Sequence, residues 1–161
     1  MATFKVVPFL WYSKHAEEAA RFYASIFPDS RVDAVTALPV ESPSGPAGSV
    51  KIVEFTLCGQ RFMAMSAARN DPFNHAVSFM IECDDQAEID RYWAHLSEGG
   101  TPEACGWIRD RYGLSWQIVP ASFSRMMRDP DRAAAKRVAE AMMTMVKFDL
   151  AALERAHRGG R

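Results

Sequence analysis

VPFLWYSKHAEEAARFYASI, Val7 to Ile26, decides the fold, because its pattern returns 70 positions later. The first half, from about Phe4 to Tyr12, is β-branched and aromatic and reads as a strand. Ser13 is placed to cap a helix over Lys14 to Phe27, whose apolar stripe is Ala16, Ala19, Ala20, Tyr23, Ile26 and Phe27. Pro28-Asp29 stops it. Shifted by 70, Glu18 falls on Glu88, Arg21 on Arg91, Phe22 on Tyr92, Tyr23 on Trp93, Ala24 on Ala94 and Ile26 on Leu96. The preceding strands overlay at the same shift, with Val7 on Val77, Phe9 on Phe79 and Leu10 on Met80. Strand and helix matching together at one offset is more than shared composition supplies, and it points to a duplicated unit.

Outward from each copy the chain reads as further strands. In the first they span Ser30 to Leu38, Val50 to Cys58 and Arg61 to Ser66, with an exposed Pro- and Gly-rich loop over Pro39 to Ser49 and a tight turn at Gly59-Gln60. A polar connector, Ala67 to Asn74, leads to the second copy. There His75 to Cys83 is a strand, and Asp85 caps a helix to about Ser97 with Glu88 at the capping-box position. Gly99-Gly100 ends that helix. Two short strands follow around Gly106, and a last one runs from Ser115 to Val119. Beyond Pro120, Asp129-Pro130 reads as the start of a helix to about Val146, with a stripe at Ala135, Val138, Ala139, Met142, Met145 and Val146. Asp149 caps a final short helix to about Ala156, and Arg158 to Arg161 reads as a frayed end. The fold class is therefore α+β: two βαβββ modules, over residues 1–66 and 75–120, with a helical extension over 121–161, together one domain. Each sheet is expected to curl and face its twin, closing a cleft between them.

Several segments resemble one known family. They are Pro8-Phe9-Leu10-Trp11-Tyr12, Ala16 to Tyr23, Ile26-Phe27-Pro28-Asp29-Ser30, Asn74 to Phe79, Tyr92-Trp93, Leu96 to Gly100, Cys105-Gly106-Trp107 and Asp110 to Pro120. In this order they resemble the PhnB-like branch of the glyoxalase, or vicinal-oxygen-chelate, superfamily, whose members often carry the description 3-demethylubiquinone-9 3-methyltransferase. The resemblance implies a homodimer with paired modules. It does not carry the methyltransferase activity over, because the chain has no glycine-rich βα turn for a nucleotide-like cofactor; its glycines lie at turns and helix ends.

The resemblance also implies where a metal would sit, with one ligand on the first and last strand of each module. Those positions hold Lys5, Met63, His75 and Gln117. Only His75 is a good ligand for a divalent ion, with Gln117 a neutral oxygen donor; Met63 is a soft thioether and Lys5 a cation. The expectation is no resident cofactor, with His75 and Gln117 the ligands of any divalent metal and Glu54 or Glu82 the recruits of a shifted site. The plainer reading of Glu54 is a strand carboxylate facing solvent, and alternation from His75 places Glu82 off the pocket face.

The same alternation from His75 gives an inward set of Val77, Phe79 and Ile81, and from Lys5 one of Val7, Phe9 and Trp11. Met63 and Gln117 add Met65, Ser115 and Val119. This composition suits a small-molecule pocket. Phe9, Trp11, Met63, Phe79 and Gln117 are the expected ligand contacts, and His75 the expected catalytic group if the protein turns a substrate over. Each aromatic has a plainer role as packing, and His75 as a satisfied strand-end histidine. Three function classes follow: a metal-free binder of a small, partly aromatic or apolar molecule; a lyase, isomerase or ring-cleaving dioxygenase, using a rearranged metal site or His75 alone; and an interaction module using the C-terminal helices.

The bulk composition bounds the rest. Of 161 residues, 48% are hydrophobic and 24% charged, with net charge −1, so a core is available and nothing favours nucleic acid or an anionic membrane. No apolar run reaches the roughly 20 residues of a membrane span, and no secretory h-region opens the chain. Three cysteines, Cys58, Cys83 and Cys105, make a poor disulfide framework, and a cytoplasmic location is expected. Cys105 reads as an incidental thiol, His15 and His95 as surface residues on helices, and His157 as part of the tail. Residues 121–161 hold nine Lys/Arg against five Asp/Glu, a surplus that reads as a solvated helix face.

Overall fold

The computed structural model describes residues 5–68 and 71–160. Phe4 of the expected first strand, Arg69 and Asn70 of the connector, and Arg161 of the tail lie outside them. Backbone contacts divide the chain into two compact units, Met1–Pro72 and Phe73–Arg161.

The first unit has strand β1 (Phe9–Tyr12), helix α1 (Ala16–Ile26) and strands β2 (Arg31–Ala37), β3 (Lys51–Leu57) and β4 (Gln60–Ser66). They form a four-stranded sheet in the order β1-β4-β3-β2, with β1 parallel to β4 and the other pairs antiparallel. Helix α1 presents Ala16, Ala19 and Ala20, all fully buried, so its backbone can approach the sheet closely. Against it lie Leu10, Val53, Phe55, Phe62 and Ala64, and the Tyr12 and Tyr23 hydroxyls meet at 3.3 Å. Ser13 does not cap α1. His15 occupies that place in a left-handed conformation without a side-chain cap. The Ala16 N–H instead donates to Ser66 Oγ on β4 at 2.9 Å, so the sheet itself closes the helix end.

The second unit repeats the topology. Strand β5 (Phe79–Cys83), helix α2 (Gln86–Ser97) and strands β6 (Thr101–Pro102), β7 (Trp107–Arg109) and β8 (Ser115–Pro120) form a sheet in the order β5-β8-β7-β6, with β5 parallel to β8. Asp85 caps α2 as expected, accepting from Glu88 N at 2.8 Å, and Glu88 Oε2 accepts from Asp84 N at 2.9 Å. Ile89, Tyr92 and Leu96 pack toward Ile81, Ile108, Trp116 and Ile118.

The helices overlay at the expected shift of 70, since α1 begins at Ala16 and α2 at Gln86. The strands do not: β1 ends at Tyr12 and β5 at Cys83, a shift of 71. The β5–α2 connection is one residue shorter. A one-residue slip reverses which side chains face the helix, and this corrects the inward set read from His75.

The C-terminal segment forms α3 (Phe123–Met127), α4 (Arg132–Met142) and α5 (Leu150–Arg158) around a cluster of Val119, Met126, Val138, Phe148 and Leu153. Sequence periodicity missed the five-residue α3. Asp131, not Asp129, caps α4, accepting from Ala133 N and Ala134 N. That helix stops at Met142, and beyond it the Met145 and Val146 carbonyls accept from Cys105 N and Gly106 N. His157 lies within α5, with its Nε2 2.7 Å from Asp129 Oδ2, and Arg137 donates to the Ala156 and His157 carbonyls at the end of the same helix. No described helix is long and apolar enough to cross a membrane, and all three cysteines are free.

Two outcomes follow. Gly106 has φ +80, and a Cβ there would lie 2.7 Å from both the Ile118 carbonyl and the Phe148 ring, whereas at Gly113, with φ +85, it would meet nothing within 4 Å. Gly106→Ala should lower stability by about 3 kcal/mol in a denaturant titration, and Gly113→Ala by only about 1 kcal/mol, the left-handed penalty alone. The second concerns acid. The Asp129 carboxyl is held below its ordinary value by the backbone N–H of Asp131 and then by His157. A carboxyl lowered by folding adds stability above its unfolded pKa, and that stability is lost as pH falls through the lowered value. Asp129→Asn should therefore reduce the thermal midpoint at about pH 7, with the gap to wild type closing by about pH 2.

Candidate functional site

In the first unit the helix-facing residues alternate with a second set that α1 does not cover. Strand pairing sets Phe9 beside Met63 and Met63 beside Glu54, and in the next row of this face Trp11 beside Met65 and Met65 beside Ile52. Phe9 is 50% exposed, and Trp11, Met63, Met65 and Ile52 are half-buried. This open face thus brings together Phe9, Trp11 and Met63 as the alternation requires. It also carries Glu54, which does not simply face solvent: its Oε2 accepts from Arg61 Nη2 at 2.6 Å on the same face. Lys5 lies ahead of β1 and is exposed, and Val7 is half-buried there.

In the second unit the open face carries Met80, Gln117 and Trp107 in one row, since Met80 pairs with Gln117 and Gln117 with Trp107. Phe79 is not among them. It pairs with Trp116, their rings 5.6 Å apart, on the face that α2 covers, so Phe79 and Gln117 lie on opposite faces of one sheet. Ile81 is likewise buried on the helix side, and Val77 precedes the strand and is exposed. Glu82, next but one to Met80, is exposed on the open face and not off it. Val119 shares that face but packs into the cluster of the C-terminal helices.

Several polar groups at this face engage one another. Gln117 Nε2 donates to Ser78 Oγ at 2.8 Å. His75 Nε2 lies 2.8 Å from Glu103 Oε2, and its ring centroid is 5.9 Å from that of Trp107. Glu103 in turn is fixed by its own N–H, which donates to the Trp107 carbonyl at 2.8 Å. With Nε2–H donating to the carboxylate, Nδ1 is left as the acceptor, an arrangement able to take a proton from a bound molecule. Sequence reasoning missed Glu103. It sits 28 residues from His75 in a loop, where no periodicity marks it.

Whether these residues fit the metal that the superfamily implies can be tested on the donors. Lys5 is an exposed cation, and Met63 sits between Phe9 and Glu54 with only a thioether to offer. Among the described residues no group of three or more His, Cys, Asp or Glu side chains converges. The set does not fit a divalent ion that needs three or four hard or borderline donors. Cys83 adds no ligand: burial and then the nearby Glu88 push its thiol up to about 12.

Comparison with known proteins agrees with this geometry at the level of family and fold. The family profile of 3-demethylubiquinone-9 3-methyltransferase matches residues 4–119. A PhnB protein from Bacillus cereus with the same family description is 32% identical, with TM-score 0.64 over 73% of this chain and 100% of that one. A protein from Pseudomonas aeruginosa is similar at 21% identity and TM-score 0.56, over 73% of this chain and 98% of its own. The fosfomycin resistance protein FosX from Mesorhizobium loti is similar at 15% identity and TM-score 0.55, over 80% of this chain and all of its own, a likeness of fold alone. No curated protein sequence matches.

A donor set of this kind should hold metal only weakly. After incubation with Mn(II), Ni(II) or Zn(II) and desalting, elemental analysis is expected to find well under one equivalent, and His75→Ala to leave that value unchanged. A stoichiometric ion lost on His75→Ala would mean that donors converge on the imidazole when metal is present.

Proposed function

Because the chain belongs to the family described as 3-demethylubiquinone-9 3-methyltransferase, the PhnB-like branch of the glyoxalase superfamily, we propose that it binds a small, partly aromatic or apolar molecule against the sheet faces its helices leave open, without a resident metal. One observation carries this reading. Phe9 at 50% and Met80 at 53% exposure stand on those faces beside the half-buried Trp11, Met63 and Trp107. Apolar and aromatic groups in contact with water, joined by a few oriented polar ones, are the composition of a ligand surface. Trp11 and Trp107 offer flat rings for stacking, and Gln117, held by Ser78, offers an oriented amide.

Methyl transfer is not part of the proposal. The β1–α1 connection is Ser13-Lys14-His15 and the β5–α2 connection is Asp84-Asp85. Neither holds a glycine that would let a strand–helix turn cradle a nucleotide-like methyl donor. A homodimer, which the family resemblance suggests, belongs to the same proposal and is checked by light scattering on a sizing column.

The test uses N-phenyl-1-naphthylamine, a neutral aromatic dye that fluoresces out of water. Saturable binding to the wild-type protein is expected, weakened about three- to tenfold in Phe9→Ala and in Trp11→Ala, the worth of one aromatic contact. Absence of saturable binding, or affinity untouched by both substitutions, would overturn the proposal.

A further inference from the structure

Two neighbouring side chains on the face of the second sheet that α2 does not cover are left unsatisfied by the protein, one of them buried and the other exposed. Ser115 is 1% exposed, and its buried Oγ has no hydrogen-bond partner. A buried hydroxyl in that state weakens the fold, and such groups are rare enough to call for a reason. Its direct partner across the antiparallel β7–β8 ladder is Arg109, so the two side chains share a face, next to the Trp107–Gln117 pair. Arg109 is exposed, and its side chain makes no hydrogen bond or ion pair among the described residues.

The first unit shows what is missing. Matching Phe9–Met63–Glu54 to Met80–Gln117–Trp107 sets Arg61 at the place of Ser115, Glu54 at that of Trp107 and Thr56 at that of Arg109. There the cation is neutralised inside the sheet, Arg61 to Glu54 at 2.6 Å. In the second unit the acid has become an indole, and the cation has moved one strand over and is left open. Three carboxylates of the same unit do not compensate. Asp110, next in the chain, spends its oxygens on Tyr112 N, Leu114 N and Trp116 Nε1. Glu103 is engaged by His75, and Glu82 lies opposite Val119, at the far end of the β5–β8 ladder.

We propose that Arg109 and Ser115 form the oxyanion-recognising end of a ligand site on this face of the second sheet, so that the molecule bound there is a small aromatic acid. This rests on the reading of that face as a ligand surface. The guanidinium offers a planar fork of N–H donors to a carboxylate or another oxyanion, the Ser115 O–H donates a further bond, and Trp107 lies in the adjacent row for a flat ring. A buried donor kept unsatisfied in the free protein is then satisfied by the ligand.

The experiment compares 1-anilinonaphthalene-8-sulfonate, an anionic aromatic dye, with neutral N-phenyl-1-naphthylamine on wild type, Arg109→Gln and Ser115→Ala. Arg109→Gln should weaken the sulfonate about tenfold, the worth of a charge-assisted hydrogen bond, and leave the neutral dye unchanged. Ser115→Ala should weaken the sulfonate several-fold while leaving the denaturation midpoint level or raising it, because it removes an unsatisfied hydroxyl. The inference is overturned if Arg109→Gln spares the sulfonate or weakens both dyes alike, or if Ser115→Ala lowers the midpoint. If neither dye binds the wild type, this inference and the functional proposal fall together. If only the neutral dye fails while the sulfonate binds through Arg109, the apolar reading falls and the oxyanion site stands.

Discussion

A single helix can cover only one face of a four-stranded sheet, and in both units most other features follow from that limit. Strand side chains alternate between faces, so packing α1 and α2 against the sheets sorts every residue into a covered or an uncovered row. On the covered rows large side chains such as Phe55, Tyr23, Ile108 and Ile118 are fully buried, each stabilising the fold by about 1.5–3 kcal/mol. On the uncovered rows some apolar groups, Phe9 and Met80 among them, remain in contact with water, and several polar ones are tied to neighbours, Glu54 to Arg61, Gln117 to Ser78 and His75 to Glu103, while Arg109 and Ser115 are not.

In the second unit one carboxylate holds that sorting in place. Asp110 is 4% exposed. Its Oδ1 accepts from Tyr112 N and Leu114 N, and its Oδ2 from Trp116 Nε1 at 2.8 Å. The first two bonds set the β7–β8 turn, and the third pins the indole to the helix side, so Ser115 and Gln117 must point the other way. The β3–β4 turn of the first unit has no such carboxylate. It relies on left-handed Cys58 and Gly59, with Cys58 N held by Ser30 Oγ at 2.9 Å.

The order and type of the β-strands and long helices were legible because period-two and period-3.6 patterns alternate along the chain with Gly, Pro and Asp between them. The family was legible for the same reason: its motifs are strung along those elements. Face assignment in β5 was not. It depends on one residue in the β5–α2 connection, and a shift of 70 that holds for the helices carries Phe9 onto Phe79 when the paired strand carries it onto Met80. Caps that use distant partners, such as Ser66 for α1, and pairs across loops, such as His75 with Glu103, have no local signature at all.

The two units keep one topology and diverge in where they place charge. Covered positions stay bulky and apolar, Phe62 against Trp116 and Leu10 against Ile81, because the helix packed on them tolerates little else. Uncovered positions are free of that constraint and have changed character: Met63 to Gln117, Glu54 to Trp107, Arg61 to Ser115. A face that served only as surface would gain nothing by exchanging a neutralised ion pair for a buried hydroxyl without a partner and a cation without a counter-charge, since the exchange costs stability. The cost is explained if both groups act on something the chain does not itself supply. The fold then accounts for where those side chains stand, and their chemistry for what they recognise.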